Sequence, residues 1–274
     1  MKRPKFTIIT VCYNAEEYIE ETINSLLQQQ FKDYEYIIKD GMSTDTTMNK
    51  VICMTEGDSR VRVLSTRDRG IYDAMNQAVK MALGEYIFFL NAGDYFCNSM
   101  ILSEVDNYLR TTKADVVYGN IFQLDAGSKK LRKYGSICSK RLYFLTGDCI
   151  CHQAMFARKE LFNDRKFDLN YKVCADKEWQ LYQIIRGKKF CPMSFPVAIV
   201  RTDGFSKDHI KEFEEESERC LNQHLHRYIG IYKLTAFLKK NRMTHIVLKM
   251  LAEMMFLRKS DEERSEDNNC NTNL

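Results

Sequence analysis

The sequence predicts an α/β fold built on a mostly parallel sheet, and three observations lead to this prediction. The first strand, Phe6 to Val11, is apolar and β-branched throughout, which is typical of a strand buried on both faces. Up to Leu90, strand-like segments alternate with helix-like segments, as in consecutive βαβ units. The strand-like segments end in polar residues, and parallel sheets bind their ligands beyond those ends.

The predicted elements alternate regularly in the N-terminal part of the chain. After the first strand come a helix (Glu16 to Gln29), a strand (Tyr34 to Ile38), a short helix, a strand (Val61 to Leu64), a helix (Ile71 to Leu83) and a strand (Tyr86 to Leu90). The later pattern is less regular. It predicts strands at Val116 to Leu124, Leu131 to Tyr134, Cys151 to Ala157 and Phe195 to Val200, and helices at Asp176 to Ile185 and from Lys207 onward.

Composition indicates an ordinary folded protein and excludes several classes. Of the 274 residues, 45% are hydrophobic and 28% are charged, and the net charge of +4 is too small to indicate a nucleic-acid partner. The ten cysteines form no CxxC pair, and no secretory signal precedes the first strand, so we expect reduced thiols in a cytoplasmic protein. No apolar stretch reaches the roughly 20 residues of a membrane-spanning helix.

Polar residues mark four of the predicted strand ends, and three of these ends carry an aspartate. The segments are Thr10 to Asn14, Asp40 to Thr46, Thr66 to Gly70 and Asn91 to Asp94. Neither a GxGxxG motif after the first strand nor a GxxxxGK[ST] motif is present, so the usual backbone phosphate cradles are missing. Carboxylates repel a diphosphate unless a divalent cation bridges them, and Mg²⁺ and Mn²⁺ bind carboxylate oxygens together with substrate phosphates. The sequence therefore predicts a metal-dependent enzyme with a diphosphate substrate.

Two long segments resemble the nucleotide-binding half of the family 2 glycosyltransferases: FTIITVCYNAEEYIEETINSLLQQQFKDYEYIIKDGMSTDTT and DRGIYDAMNQAVKMALGEYIFFLNAGD. Two shorter ones, CHQAMFARKELF and ADKEWQL, resemble the acceptor half, so the similarity covers about residues 5 to 205. The resemblance, of the bacterial surface-polysaccharide type, implies an inverting transferase with the GT-A fold. This fold has a mixed, mostly parallel sheet flanked by helices, with a Rossmann-like nucleotide-binding half and an acceptor half.

The resemblance also implies a division of the chain. Residues 1–205 form the catalytic domain, with nucleotide-sugar binding in about 1–95 and acceptor binding in 96–205. Residues 206–258 form a C-terminal helical region, and the polar tail 259–274 is expected to be disordered.

Carried over residue by residue, the resemblance assigns roles in donor binding. Thr10, Tyr13 and Asn14 match the segment that flanks the nucleobase and ribose, and Asp40 matches the aspartate that accepts a hydrogen bond from the nucleobase. UDP is accordingly the first nucleotide expected, with GDP and dTDP as alternatives. Further donor-site positions are Asp68, Asp73, Asn76, Asn91, His152 (near the donor sugar or the acceptor) and Arg201 (in a loop over the diphosphate).

The metal and the general base follow from two other motifs. Asn91-Ala92-Gly93-Asp94 stands where the family has its DxD-type motif, so Asp94 is the expected ligand of Mn²⁺ or Mg²⁺, with Asn91 a weaker one. Asp176 matches the family's general base, which accepts the proton of the acceptor hydroxyl, and Glu178 is the second candidate.

Structural interpretations of the same residues stay open at this point. An aspartate at a strand end is often a turn or helix-cap residue, which applies to Asp40, Asp68, Asp94 and Asp176. Asn14 could cap the first helix, and His152 could be a structural histidine. Trp179 either stacks on an acceptor sugar or packs in the core, and Arg201 could lie in a plain surface loop.

The C-terminal region is basic and apolar. From Arg227 to Lys259 there are eight Lys or Arg and one acid, Glu253, with apolar residues between them. This pattern fits a helix on an anionic membrane surface, as would suit a lipid-linked saccharide acceptor, or a helix packed on the catalytic domain. Its Leu and Met content argues against nucleic acid.

Two other functions remain as alternatives. A nucleotidyltransferase that makes sugar nucleotides has a similar sheet but carries a glycine-rich basic loop after its first strand, where this chain has Val11-Cys12-Tyr13-Asn14-Ala15. An inactive nucleotide-sugar-binding protein is the third interpretation, suggested by the reduced Asn91-Ala92-Gly93-Asp94 motif.

Overall fold

The computed structural model describes residues 3–125, 127, 130–134, 149–202 and 209–225. The chain forms two compact units, and nearly all described residues belong to the first, Met1–Ser136 with Cys149–Cys220; of the second only residues 221–225 are described. The predicted basic region, the tail and the loop after Thr202 lie outside the described residues, and the predicted domain boundaries stay predictions.

The N-terminal half is the predicted parallel sheet. Its strands lie in the order β3-β2-β1-β4, all parallel, with helices between consecutive strands. Every residue of β1, β2 and β4 is buried, which explains the largely apolar sequences of β1 and β4. In β2 the charged residues Glu35, Lys39 and Asp40 are buried as well. The elements are β1 (Phe6–Cys12), α1 (Ile19–Leu27), β2 (Tyr34–Asp40), α2 (Thr47–Thr55), β3 (Val61–Ser65), α3 (Ile71–Met81) and β4 (Tyr86–Phe89).

The second half adds antiparallel pairs and makes the sheet mixed. Strand β8 is antiparallel to both β4 and β6, whereas β9 runs parallel to β6 and antiparallel to β5. The full order is β3-β2-β1-β4-β8-β6-β9-β5, and β7 pairs with β6. The elements are β5 (Tyr95–Phe96), α4 (Ile101–Thr111), β6 (Val116–Leu124), β7 (Leu131–Tyr134), β8 (Met155–Arg158), α5 (Lys159–Asp164), α6 (Ala175–Ile185), β9 (Phe190–Arg201) and α7 (Ile210–Leu225).

One predicted strand is shorter than expected. The sequence predicts a strand over Cys151 to Ala157, but His152–Ala154 form a single 3₁₀ turn and β8 begins at Met155. The turn is closed by the Ala154 amide, which donates to the Cys151 carbonyl. Because a 3₁₀ turn does not alternate its side chains as a strand does, His152 and Gln153 can both face one cleft.

Aromatic side chains join the two halves of the sheet. Phe156 on β8 stacks on Phe88 of β4 at 4.3 Å between ring centroids and meets Phe6 of β1 edge-on at 5.4 Å. Trp179 on α6 is fully buried, stacks on Phe162 at 4.5 Å and donates its indole N–H to the Arg165 carbonyl. Trp179 is therefore a core residue, and the alternative that it stacks on an acceptor sugar is wrong.

Two further findings concern the described residues alone. No helix among them is long and apolar enough to span a bilayer. The eight cysteines that lie within the described ranges are free thiols.

Gly84, at the turn into β4, provides a test of the packing between β1 and β4. A Cβ atom there would lie 2.5 Å from the Thr7 backbone nitrogen and 2.6 Å from the Phe6 carbonyl carbon, neither of which can move aside. We expect Gly84→Ala to lower the free energy of unfolding by about 3 kcal/mol, the upper range of overpacking costs, measured by urea denaturation. Leu83→Ala is the control, since Leu83 is 54% exposed; equal midpoints for the two variants would contradict this packing.

Candidate active site

A cleft of about 1070 Å³ lies beyond the carboxyl ends of β1 and β4. The loop after β1, the start of α3, the segment after β4, the 3₁₀ turn, the start of α6 and the end of β9 line it. This volume suits a nucleotide sugar, since small-molecule sites commonly measure about 300–1,000 Å³. Most of the predicted site residues line it: Tyr13, Asn14, Asp68, Asp73, Asn91, Asp94, His152, Asp176 and Arg201.

The loop after β1 presents Tyr13 to the cleft. Tyr13 is 64% exposed, and the next residue, Asn14, has a positive φ of 47°. The Asn14 side-chain oxygen accepts from the Thr44 amide at 2.9 Å, and the Asn14 amide donates to the Ser43 hydroxyl at 2.8 Å. Asn14 thus ties the loop after β1 to the loop after β2. The alternative that it caps the first helix is wrong, because α1 begins at Ile19 with Tyr18 in the cap position.

Thr10 and Asp40 lie beneath the cleft instead of lining it, which corrects the prediction that they contact the nucleotide. Both are fully buried. The Thr10 hydroxyl donates to the Leu90 carbonyl, joining β1 to β4. The Asp40 carboxylate accepts hydrogen bonds from the Met42 and Ser43 amides and from the Ser43 and Ser65 hydroxyls. Asp40 is therefore the turn residue of the structural interpretation, and its hydrogen-bonding capacity is used within the chain.

Asp68, which lines the cleft, forms a buried ion pair with Lys39. Lys39 is fully buried, and its ammonium donates to the Asp68 carboxylate at 2.7 Å and to the carbonyls of Asp40 and Thr66. The other Asp68 oxygen accepts from the Gly70 amide. The cation neutralises Asp68, which makes this end of the cleft less repulsive to an anionic ligand than the count of aspartates suggests.

Asp73 faces the cleft from α3. Its carboxylate accepts from the Arg69 amide and from the Gln77 side chain, and it is paired with the Arg69 guanidinium. Burial acts to raise the pKa of Asp73, but the hydrogen bonds and charge of Arg69 outweigh it and hold the pKa below its ordinary value.

Asn76 and Glu178 point away from the cleft, so two further predictions are corrected. Asn76 is buried. Its side-chain amide donates to the Phe167 carbonyl and accepts from the Phe167 backbone N–H, so it is not placed to reach a ribose or sugar. Glu178 is fully buried, and its carboxylate pairs with the Arg165 guanidinium at 2.7 Å. An acidic side chain on the core-facing side of α6 cannot meet an acceptor hydroxyl, which removes the second candidate for the general base.

Asp94 and Asn91 lie on one wall of the cleft and carry oxygen atoms of the kind that divalent cations bind. Burial raises the pKa of Asp94 to about 7, although the Gln153 side chain and the Arg201 amide donate to its carboxylate. The Asn91 side-chain oxygen is buried and has no hydrogen-bond partner among the described residues. A buried amide oxygen without a partner is costly, and a cation or an ordered water would satisfy it.

These two residues fit a weakly held divalent cation. No group of three or more His, Cys, Asp or Glu side chains suited to a metal occurs in the described part of the chain. A site made only by the protein is therefore not present there. One carboxylate and one amide oxygen match the way Mg²⁺ and Mn²⁺ are held jointly by a protein and the phosphates of its substrate.

Asp176 is held on three sides at the start of α6. His152 Nδ1 lies 2.9 Å from one carboxylate oxygen, and the other oxygen accepts from the Tyr72 hydroxyl at 2.9 Å and from the Lys177 amide at 2.9 Å. Burial acts to raise the pKa of Asp176, but the hydrogen bonds from His152 and Tyr72 lower it more, so the pKa lies below its ordinary value. The carboxylate is therefore charged at neutral pH, and the capping interpretation does not account for the bonds to His152 and Tyr72.

Arg201 closes the cleft from the end of β9. Its guanidinium packs over the Tyr18 ring, 4.4 Å from the centroid, and its side chain passes close to Gly93. Gly93 has a positive φ of 95°, and a Cβ there would come within 3.2 Å of the Arg201 side chain. The glycine thus lets Arg201 approach the Asp94 segment, and Arg201 belongs to the cleft instead of a plain surface loop.

Sequence reasoning missed several residues that shape the cleft. Lys39 is a charged residue in a strand that is otherwise expected to be buried. Because buried lysines are usually paired, its position could have predicted an acidic partner nearby. Tyr72 stands in DRGIYDAMN, and Gln153 next to His152, but nothing local indicates that they meet Asp176 and Asp94 from distant parts of the chain. These contacts span 104 and 59 residues of sequence.

Comparison with known proteins identifies the family of this chain. The model of the family described as glycosyl transferase family 2 matches residues 7–163. A PGL/p-HBAD biosynthesis glycosyltransferase of Mycobacterium tuberculosis is 31% identical over 185 residues, which are 66% of this chain and 70% of the relative. Glycosyltransferase GlyG of Streptococcus pneumoniae is 26% identical over 170 residues, 62% of this chain and 52% of its own.

Two solved structures have a similar fold. The S. aureus TarS fragment 1–349 in complex with UDP-GlcNAc superposes with a TM-score of 0.62 at 19% identity, covering 89% of this chain and 78% of TarS. The mannosyltransferase PcManGT of Pyrobaculum calidifontis, in complex with GDP-Man and Mn²⁺, gives a TM-score of 0.60 at 15% identity, covering 93% of this chain and 81% of its own.

The corrected role of Asn76 is open to a direct test. Asn76→Ala leaves the Phe167 amide and carbonyl without their partner, so we expect the free energy of unfolding to fall by about 2 kcal/mol. The Kd for UDP, measured by titration calorimetry, should not change. Lys80→Ala, on an exposed position of the same helix, is the control and should alter neither quantity. A weaker affinity for UDP at unchanged stability would restore the donor-binding role.

Proposed function

This chain belongs to glycosyltransferase family 2 and is a GT-A-fold transferase of sugar residues, and we propose that it uses a nucleoside-diphosphate sugar and inverts the anomeric centre. The observation that carries the proposal is the arrangement of three residues in one cleft. Asn91, beside the expected metal ligand Asp94, lies 3.0 Å from His152, and His152 lies 2.9 Å from Asp176. A leaving-group site and a general base thus share one cavity.

The donor lies in the half of the cleft formed by β1 to β4. The exposed Tyr13 ring stacks on the nucleobase, Asp68 and Asp73 face the ribose, and Arg201 contacts the diphosphate. A UDP-sugar is the first donor to test, because TarS is described in complex with UDP-GlcNAc; GDP-mannose is the second, because PcManGT is described with GDP-Man.

Asp94 and the Asn91 side-chain oxygen hold the divalent cation together with the donor diphosphate. Mn²⁺ or Mg²⁺ supplies positive charge that stabilises the nucleoside diphosphate as it leaves. The unpartnered Asn91 oxygen and the buried Asp94 carboxylate support this assignment. Because the protein offers few ligands, metal and donor bind together.

Asp176 removes the proton of the acceptor hydroxyl. A carboxylate has about four acceptor sites, and His152, Tyr72 and Lys177 occupy three of them, so one remains for the acceptor. The acceptor oxygen then bonds to the anomeric carbon while the bond from that carbon to the diphosphate oxygen breaks on the opposite face. The proton ends on Asp176 and the bond electrons on the nucleoside diphosphate.

The acceptor is a saccharide or a lipid-linked saccharide of polysaccharide or glycolipid assembly. The names of the mycobacterial relatives support this class, as does the basic, apolar region after Arg227, which suits an anionic membrane surface. In this proposal the chain works at the cytoplasmic side of the membrane. Membership of the family contradicts the nucleotidyltransferase alternative.

Substitution of Asp94 and Asp176 separates donor binding from proton removal. Asp94→Ala and Asp176→Ala should each lower turnover by about 10²–10⁴-fold, because each removes a group needed at the reacting centre. Titration calorimetry with UDP-GlcNAc and GDP-mannose, with and without Mn²⁺, should show that Asp94→Ala loses the metal-dependent part of donor binding. Asp176→Ala should retain it; an equal loss of binding in both variants would refute the division of roles.

Tyr13 tests how the nucleobase is bound. Tyr13→Ala should weaken UDP binding by about 1–3 kcal/mol, the usual cost of removing an aromatic side chain from a stacked base. Tyr13→Phe keeps the ring and should bind UDP as the wild type does. Unchanged UDP affinity in Tyr13→Ala would show that the nucleobase binds elsewhere.

A further inference from the structure

The imidazole of His152 is hydrogen-bonded at both nitrogens, which argues against the donor-binding role that the sequence predicts for it. Nδ1 lies 2.9 Å from an Asp176 carboxylate oxygen, and Nε2 lies 3.0 Å from the Asn91 side-chain nitrogen. The His152 and Asp176 side chains are each only 13% exposed. With both nitrogens occupied by protein groups, the ring has no polar atom left for a sugar.

The two partners determine which nitrogen carries the hydrogen. The Asn91 amide nitrogen can only donate, so Nε2 must accept and the hydrogen of the neutral ring lies on Nδ1. From there it is donated to Asp176, which can only accept while it is charged. If the Asn91 amide were rotated by half a turn, its oxygen would face Nε2, and Nε2 would have to carry the single hydrogen of the neutral ring. Nδ1 would then have no hydrogen to donate to the Asp176 carboxylate. With a neutral ring, the described orientation therefore pairs both ring nitrogens and the Asp176 carboxylate, and it leaves the Asn91 side-chain oxygen without a partner among the described residues.

The backbone holds this ring in place. His152 opens the 3₁₀ turn His152–Ala154, and the next residue, Gln153, donates to Asp94. Asn91 lies two residues after the end of β4, and Asp176 is the second residue of α6. Three elements that are distant in sequence thus meet at one imidazole.

We propose that His152 is a positioning residue, whose Nδ1–H holds the Asp176 carboxylate so that its free lone pair faces the acceptor hydroxyl, and that Asn91 sets the tautomer this requires. The inference rests on the function proposed above, because it assumes Asp176 to be the general base. It also gives a reason for an amide at position 91, where an acid is expected from the family motif. A carboxylate has no hydrogen to donate to Nε2.

Two conservative substitutions of His152 test the hydrogen bond at Nδ1 and the hydrogen bond at Nε2 separately. The asparagine amide lies as far from Cβ as Nδ1 does, so His152→Asn can still donate to Asp176 but cannot reach Asn91. The glutamine amide reaches the position of Nε2, where its oxygen can accept from the Asn91 amide nitrogen, so His152→Gln keeps the contact with Asn91 and loses the donor to Asp176. His152→Ala removes both.

The assay needs no identified acceptor, because water can replace it. Release of UDP from UDP-GlcNAc and of GDP from GDP-mannose is measured with Mn²⁺ for each variant. Since small misplacements of a catalytic group cost about 10²-fold, kcat should fall about 100-fold in His152→Gln and His152→Ala, but less than 10-fold in His152→Asn. KM for the donor should stay within twofold throughout. Equal losses of kcat in His152→Asn and His152→Gln, or a raised donor KM in both, would overturn the positioning role.

A spectroscopic measurement tests the hydrogen-bond chain independently of activity. In protein labelled with ¹⁵N-histidine, the resonances lost in His152→Asn identify His152. We expect the neutral ring with the hydrogen on Nδ1 in the wild type, and a changed tautomer balance in Asn91→Ala. A hydrogen on Nε2 in the wild type, or no change in Asn91→Ala, would contradict the inference.

The two measurements distinguish failure of the inference from failure of the proposed function. If the wild type releases nucleotide and the variants do not follow the expected order, only the positioning role fails. If the wild type releases no nucleotide from either donor while its tautomer is as expected, the hydrogen-bond chain stands and the proposed function fails, together with any catalytic use of His152.

Discussion

The buried carboxylate of Asp40 is the interaction on which the donor side of the cleft depends. It accepts from the Ser43 amide and hydroxyl and from the Ser65 hydroxyl, which joins the ends of β2 and β3. The Ser43 hydroxyl in turn accepts from the Asn14 amide, the residue after Tyr13. The exposed Tyr13 ring is thus positioned through two hydrogen bonds by a carboxylate that does not line the cleft. A buried carboxylate whose hydrogen bonds are made within the chain gives the adjoining loop one arrangement.

On the opposite side, a second buried carboxylate positions Asp176, the proposed general base. Glu216 of α7 accepts from the amides of Lys172, Val173 and Cys174, the segment that leads into α6. A carboxylate at a helix start satisfies amides that have no partner within the helix and suits the helix dipole. Asp176 lies two residues after this segment, and the single Tyr72 hydroxyl hydrogen is shared between the Val173 carbonyl and Asp176. Asp176 is therefore fixed through the backbone that precedes it as well as through its side chain.

The corrections at Thr10 and Asp40 have one physical cause. A polar residue at a strand end can point out into the crevice or back into the turn, and the motif is the same in both cases. Thr10 and Asp40 were predicted to bind the donor, yet their polar atoms are taken up by Leu90 and Ser43 in the protein. Tyr13, Asp68 and Asp94 also follow strand ends and face the cleft. Asn76, within α3, is instead turned to the Phe167 backbone.

The sequence by itself determined the α/β class, the parallel arrangement of the first four strands and the strand ends at which the cleft lies. It could do so because apolar runs, helical spacing and strand-end polarity are local properties of the chain. The tertiary structure alone decided the antiparallel pairing of β8 with β4, the buried Lys39–Asp68 ion pair and the joining of Asn91, His152 and Asp176. Those contacts link residues 24 to 72 positions apart, and no local pattern specifies which distant donor meets which acceptor.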